Sequence, residues 1–172
     1  MINNFRTKVL GTLFIGFLIF NENTQCYAQE VTAPNSIYLE LLGNGIIYSV
    51  NYDRMFCNNV SGRIGMTYFP ALTSFFTTTE NIFIMPVTLN YFIGDGNSKL
   101  ELGAGIVYAQ ATLSTIFSNE EESASGIAET VIIGYRYQQS EGGFLFRIGF
   151  TPFFRFDGGL YPFGGISIGT SF

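Results

Sequence analysis

Apolar residues alternate with small or polar ones along most of the chain, from residue 36 to residue 172. Successive side chains of a β-strand point to opposite faces of its sheet, so a period of two predicts strands with one apolar face. This part of the chain lacks the i, i+3, i+4, i+7 apolar spacing of an amphipathic helix. Clusters of Gly, Asn, Pro and Ser interrupt the alternation and predict turns, so the expected fold is all-β. The predicted strands are 36–43, 46–56, 60–69, 80–93, 98–115, 128–138, 143–154 and 163–172.

The connections between these strands also alternate in length. The turns after the second, fourth and sixth strands are short, whereas the links at 70–80, 116–127 and 155–162 are longer and more polar. The first connection is the exception, because the glycine-asparagine-glycine sequence at 43–45 is a signal for a tight hairpin. Short turns on one side and long loops on the other are typical of antiparallel up-and-down barrels in an outer membrane. We expect eight strands, while the long strand 98–115 leaves a count of ten open.

The content of the two strand faces indicates which solvent surrounds the barrel. On the seventh predicted strand, Phe146 and Ile148 share one face, and Arg147 and Gly149 share the other. Other strands repeat this division between a large aromatic face and a face of glycine, small polar residues and single charges. Only 12% of the residues are charged, about half of what soluble domains carry. We therefore predict a transmembrane β-barrel whose apolar face meets lipid and whose mixed face points inward.

Aromatic residues recur near both ends of the predicted strands, on the apolar face. Barrels in outer membranes carry a girdle of aromatic side chains at each membrane–water interface. If odd-numbered strands rise from the periplasm, the outer girdle contains Tyr68, Phe83, Tyr108 and Phe150, and the inner girdle contains Tyr52, Tyr91, Tyr137, Phe144 and Phe172.

The charges on the mixed face are the first candidates for a functional cluster. An eight-stranded barrel has an interior just wide enough for side chains to fill, and buried charges are strongly unfavourable unless they pair. We expect these residues to form an ion network that fills the lumen, with a gate or narrow polar pore as the alternative. The predicted network contains the acids Glu40, Asp53 and Glu101 and the bases Arg63, Lys99, Arg136 and Arg147.

The first 28 residues differ from the rest and have the three-part layout of a signal peptide. Arg6 and Lys8 precede an apolar run at 9–20, and a small-x-small ending predicts cleavage before Gln29. The run is shorter than the roughly 20 apolar residues that a spanning helix needs. We therefore predict a cleavable signal peptide helix at 1–28 and a barrel domain at 29–172.

Cleavage would change both the charge and the cysteine content. Removing two basic residues and one acidic residue takes the formal net charge from −5 to −6. Cys57 would remain as the single cysteine, so we expect a turn residue and no intramolecular disulfide. Lipidation of Cys26 is an alternative to simple cleavage.

Composition argues against several other functions. The chain has no His, which removes the usual base of catalytic triads and the commonest metal ligand. We therefore expect no enzyme, no metal site and no cofactor. A net negative chain cannot neutralise phosphates across a broad face, so we also expect no nucleic-acid partner. The acidic run at 120–122 is interpreted as a solvated loop tip.

The chain from 36 to 172 resembles the small outer-membrane β-barrels of Gram-negative envelopes, the OmpA/OmpX-like group. The resemblance rests on the signal peptide, the alternating strands, the segments 100–105 and 134–137, and a terminal strand at 165–172. In that family the final aromatic residue, here Phe172, helps the barrel assembly machinery to recognise the last strand. Thr170 departs from the larger residue that is common two places earlier. The family implies membrane insertion without a cofactor, and no single shared activity.

The expected function is a structural or adhesive role for a monomer in the outer membrane of a Gram-negative bacterium. The expected partners are membrane lipid, the barrel assembly machinery and an extracellular surface that meets the loops at 70–80, 116–127 and 155–162. A small passive channel is the first alternative. A soluble lipocalin-like binder is the second, and an enzyme is disfavoured by the missing His.

Overall fold

The computed structural model describes residues 32–73, 77–115, 118–154 and 159–172. The predicted signal peptide lies outside the described residues. Within them, no helix is long and apolar enough to cross a membrane. The strands are β1 (Asn35–Leu42), β2 (Tyr48–Cys57), β3 (Val60–Thr73), β4 (Thr77–Ile93), β5 (Ser98–Thr115), β6 (Ser118–Gln138), β7 (Gly143–Phe150), β8 (Phe153–Phe154), β9 (Leu160–Tyr161) and β10 (Gly164–Ser171).

The long strands close into a barrel. Consecutive strands from β1 to β7 pair antiparallel, and β10 closes the ring by pairing with both β7 and β1. In the described part of the chain, eight long strands therefore form the ring, as the sequence predicts. The short strands β8 and β9 pair with β6 and with each other. They lie outside the closed ring, so a barrel of ten strands is not formed.

The two ends of the barrel differ. At the turn end, the connections are the short segments 58–59, 94–97 and 139–142, and Asn35 and Phe172 exchange backbone hydrogen bonds of 3.0 and 2.8 Å. At the opposite end, the loop end, β3 to β6 continue beyond the ring. The β6–β7 pairing reaches only Ile133 and Phe150, whereas β5 and β6 stay paired as far as Thr115 and Ser118.

This extension corrects the predicted loops. Residues 70–73 and 77–80 belong to strands, and so do residues 118–127, including the acidic run that the sequence suggested was a loop tip. The polar composition of 118–126 indicated a loop, but ladder hydrogen bonds come from the main chain and need no apolar face. In the third predicted loop, 160–161 is a short strand, and the predicted strand 143–154 ends at Phe150.

The division into two faces matches the alternation in the sequence. On β2, Asn51 and Asp53 are buried, whereas Val50 and Tyr52 are exposed. The largest fully buried side chains include three arginines, while leucine, isoleucine and phenylalanine side chains cover the outside. A soluble barrel has the opposite arrangement, with an apolar interior and a polar exterior. The lipocalin-like alternative therefore requires faces that are reversed from those observed.

Glycines on the inner face make room for polar side chains. A Cβ atom at Gly65 would lie 2.3 Å from Oδ1 of Asn51, and one at Gly103 would lie 2.4 Å from Oδ1 of Asn90. Both distances are far below van der Waals contact, so a larger residue would displace these amides. The inward glycines are thus part of how the lumen is packed.

Cys57 ends β2 and is disulfide-bonded in the uncleaved chain. The expectation of a single cysteine without an intramolecular disulfide concerns the chain after cleavage and stays a prediction.

Candidate functional site in the lumen

Six of the seven predicted lumen charges meet in one layer of the barrel interior. Their side chains are almost completely buried, with exposures of 2% or less. Because three guanidinium groups face three carboxylates, the formal charges in this layer cancel. The members are Glu40, Asp53, Arg63, Glu101, Arg136 and Arg147.

Four of these residues form a chain of alternating charge. Arg63 and Arg147 both contact the carboxylate of Glu40, with 2.7 Å between Nη1 of Arg147 and Oε1 of Glu40. Nε of Arg147 also lies 2.5 Å from Oε2 of Glu101. Nε of Arg63 donates to Oδ1 of Asn51 at 2.9 Å. The chain therefore links β1, β3, β5 and β7 across the lumen.

A second cluster surrounds Asp53. Arg136 donates to both of its carboxylate oxygens, at 3.1 and 3.3 Å. Ser61 donates to Oδ2 of Asp53 at 3.0 Å, and Asn90 reaches the same oxygen at 3.4 Å. Nη2 of Arg136 also donates to Ser36 at 3.2 Å. Such further hydrogen bonds stabilise a buried ion pair, although Nε of Arg136 has no hydrogen-bond partner among the described residues.

Tyr38 lies between the two clusters. The guanidinium carbons of Arg63, Arg147 and Arg136 lie 5.5, 5.9 and 6.0 Å from the centre of its ring. These distances are within the range of cation–π attraction. The sequence prediction missed Tyr38. Because residues two apart in a strand share a face, its spacing from Glu40 could have placed it in the lumen.

Lys99 lies apart from the network that the sequence predicted for it. It is half-buried near the first residue of β5, at the turn end. Its Nζ donates to the carbonyl oxygen of Asn58 at 3.3 Å and lies 5.9 Å from the centre of the Phe92 ring. Among the described residues it has no ion-pair partner within 4.0 Å. Its position beside a turn keeps the ammonium group near the lumen mouth.

A short turn folds into the loop end of the lumen. Residues Gly43–Gly45 form a 3-10 turn between β1 and β2, and all three are buried. Oδ1 of Asn44 accepts a hydrogen bond of 3.1 Å from Thr130 on β6. The flanking residues Leu42 and Ile46 have φ values of 62° and 69°, which are unfavourable for side chains with a Cβ. This strained backbone positions Asn44 across the lumen.

An apolar cluster lies above the ion network at the loop end. Phe153 of β8 packs on Ile84 and Val107, which point inward from the extended parts of β4 and β5. The rings of Phe153 and Phe163 meet edge to face, with 5.2 Å between their centres. The interior therefore changes from paired ions near the turn end to aliphatic and aromatic packing at the loop end.

The predicted girdle residues all lie on the outward face. Five are exposed and the other four are half-buried. Some tyrosine hydroxyls reach polar groups near the strand ends. Tyr52 donates to Asn35 at 2.7 Å at the turn end, and Tyr68 donates to Asn81 at 2.7 Å towards the loop end. The residues are Tyr52, Tyr68, Phe144, Phe150, Phe172, Phe83, Tyr91, Tyr108 and Tyr137.

Comparisons with known proteins place the fold. No protein-family model and no curated protein matches this chain. The chain is similar to the N-terminal β-barrel domain of Pseudomonas aeruginosa OprF, with a TM-score of 0.58 and 13% identity, covering 81% of this chain and 99% of that domain. It is also similar to Ail, the attachment invasion locus protein of Yersinia pestis, with a TM-score of 0.52 and 14% identity, covering 81% and 97% of the two chains.

A second structure of Ail gives the same result. That structure contains the heparin analogue sucrose octasulfate, and it matches with a TM-score of 0.52 and 17% identity, covering 80% of this chain and 95% of Ail. At these identities the likeness concerns the fold. The prediction of a closed, eight-stranded antiparallel β-barrel is therefore confirmed.

Proposed function

We propose that this protein is an outer-membrane barrel with a sealed lumen, whose role is structural or adhesive and involves no catalysis. The main support is the layer of six buried charges, because guanidinium groups bound to carboxylates occupy the space that a pore would need. Eight-stranded barrels have little interior beyond what side chains fill. A passive channel is therefore the weaker alternative.

The membrane location rests on the outward face. Its exposed side chains include Leu39, Ile64, Ile148 and Ile168, and lipid is the solvent that such a surface fits. The fold shared with OprF and Ail supports the same location. We propose that the signal peptide at 1–28 directs export, and that the assembly machinery recognises the last strand by Phe172.

An extracellular role would fall to the loop end, where β3 to β6 rise beyond the ring. The segments 70–80, 116–127 and 155–162 contain five acidic residues and one basic residue. Ail was crystallised with a sulfated heparin analogue, which is a polyanion. An acidic loop end repels polyanions. We therefore propose that a partner of this chain carries positive charge on its contact surface.

Conductance tests the sealed lumen. The full protein, refolded and shown to run at a different gel mobility before and after boiling, is added to planar lipid bilayers. We expect no discrete conductance steps from the wild type. The matched variant Glu40→Ala/Arg147→Ala removes two facing side chains of the network and should conduct more. Discrete steps from the folded wild type would refute the sealed lumen and favour the channel.

Surface binding tests the adhesive role. Cells that display the wild type are compared with cells that display a Gln variant of the acidic run at 120–122. We expect the wild type to bind lysine-coated beads better than heparin-coated beads, and the variant to lose much of that preference. Because the attraction is between exposed charges, it should weaken as salt increases. A preference for heparin would contradict the proposed partner chemistry.

A further inference from the structure

A groove crosses the outward face of β2 to β5. It is open and has a volume of about 560 Å³, and its walls include Tyr52, Phe56, Leu89 and Ile106. The groove lies on the outward side of the sheet, although Arg63, whose guanidinium group belongs to the ion network, contributes to its floor.

Small residues in one row of the sheet create this groove. Arg54 pairs with Gly62, Gly62 pairs with Leu89, and Leu89 pairs with Ala104. The row therefore contains two residues with little or no side chain. A β-bulge between Met55 and Cys57 interrupts β2, and a Cβ at Gly62 would lie 2.8 Å from Cζ of Phe56. The Phe56 ring thus forms the wall of the groove nearest the turn end.

Arg54 provides a positive charge at the groove. It is exposed on the outward face, and within the described ranges it is the one basic residue there. It pairs with Asn35 at the turn end, and the side chain of Asn35 accepts the hydrogen bond of the Tyr52 hydroxyl. Its side chain has no hydrogen bond or ion pair with any residue that the structure describes. The sequence analysis missed it, although it shares a strand face with Tyr52.

We propose that this groove binds one glycerophospholipid from the leaflet at the turn end, with the phosphate on Arg54 and an acyl chain past the Phe56 ring along Leu89 and Ala104. An arginine can extend its apolar stem along a hydrophobic surface and keep its guanidinium group at the interface. That group pairs with phosphate through two parallel hydrogen bonds. The occupant must therefore combine an anionic head with an apolar tail, as a phospholipid does. This inference rests on the proposed membrane location.

Native mass spectrometry tests the site. The protein is purified from the membrane, stripped of lipid in detergent and titrated with palmitoyl-oleoyl-phosphatidylglycerol. We expect one lipid to bind ahead of all others. Arg54→Gln should weaken that first binding step about fivefold, which corresponds to one basic residue at an anionic lipid surface. Arg54→Lys keeps the charge but not the paired hydrogen bonds, so it should recover only part of the affinity. Glycerol-3-phosphate, which has no acyl chain, should not compete.

A second pair of variants tests the groove itself. Ala104→Phe fills it without changing charge and should weaken the first step as strongly as Arg54→Gln. Ile148→Phe adds a similar ring to the outward face of β7, away from the groove, and should bind as the wild type does. If the wild type, Arg54→Gln and Ala104→Phe all bind the first lipid equally well, the site is refuted. It is also refuted if the wild type is a dimer, and Ala104→Phe abolishes the dimer while lipid binding is unchanged, because a second copy of the chain would then occupy the groove.

The two proposals can fail separately. If the unboiled protein is absent from the outer-membrane fraction, the membrane location and the lipid site are both wrong. If the protein is there and changes mobility on boiling, but Arg54→Gln leaves the first lipid unaffected, only the lipid site is wrong.

Discussion

The inward and outward faces of the same strands follow opposite rules. On β7, Arg147 is buried among carboxylates, while its neighbours Phe146 and Ile148 cover the outside. The inward side has to pair each charge with an opposite one because it has no access to bulk solvent. The outward side holds few charges because its proposed solvent is lipid. Whether a charged or an apolar side chain is tolerated at a position in this barrel therefore depends on the face of the strand on which it lies.

The two faces should also respond differently to substitution. A buried ion network is a weak source of net stability, because desolvation offsets the Coulomb attraction. Breaking such a network is costly, however, since an unpaired charge then remains buried. The lumen should therefore be sensitive to loss of one partner, whereas the outward face should be sensitive to gain of a charge.

The largest effect should come from removing the shared carboxylate of the network. Glu40→Ala leaves Arg63 and Arg147 without the group that both contact. We expect the free energy of unfolding to fall by about 3–5 kcal/mol, measured by urea titration in lipid vesicles. Glu141→Ala, at an exposed turn, is the control and should change stability by less than about 0.5 kcal/mol. Similar values for both variants would mean that the network is not maintained in solution.

Charge on the outward face should have the next largest effect. Ile168→Lys places an ammonium group on the outward face in the middle of β10 and should destabilise the barrel by about 2–4 kcal/mol. Thr170→Lys is two residues nearer the turn end on the same face, and it should cost about 0–1 kcal/mol. The same urea titration measures both. Equal costs would show that residue 168 is not at membrane depth.

Coupling within the network should be smaller but measurable. A double-mutant cycle of Glu101→Gln and Arg147→Gln should give an interaction free energy of about 0.5–3 kcal/mol. A second cycle pairs Glu101→Gln with Arg54→Gln, whose side chain lies on the outward face, and should give almost none. Coupling of the same size in both cycles would contradict the separation of the two faces.

The smallest effect should come from the strained turn. Ile46→Gly relieves a positive φ that is unfavourable by roughly 1–2 kcal/mol, but glycine costs about 0.5–1 kcal/mol in chain entropy. We expect a small net stabilisation. Ile47→Gly brings the entropy cost without a positive φ to relieve and should destabilise instead. If both variants destabilise equally, the turn is not strained in solution.

Local periodicity was enough to predict the ring. The parity of each strand placed Glu40, Asp53 and the three lumen arginines inside, and no long-range information was needed. Their pairing followed from the narrow diameter of an eight-stranded barrel. What the sequence could not show is which acid contacts which base, because that depends on the register between strands such as β1 and β7.

Other features were missed for different physical reasons. The strands β3, β4 and β6 extend further than predicted. Their outer parts have no clear apolar–polar alternation, and without it the sequence does not distinguish a strand from a loop. The turn at 43–45 was predicted as a hairpin, but positive φ values at Leu42 and Ile46 are not expected of residues with large side chains. Arg54 was missed because only the apolar members of its strand face were considered.

One measurement tests the central claim of reversed faces most directly. The chain has no Trp, so a single introduced tryptophan gives an unambiguous fluorescence signal. Ile168→Trp lies on the outward face of β10, and Ser125→Trp lies on the exposed extension of β6 at the loop end. In vesicles, brominated phospholipid should quench Trp fluorescence strongly for the 168 variant and weakly for the 125 variant, and aqueous acrylamide should do the reverse. Strong acrylamide quenching of the 168 variant would mean that water covers the outward face, and the membrane barrel would be contradicted.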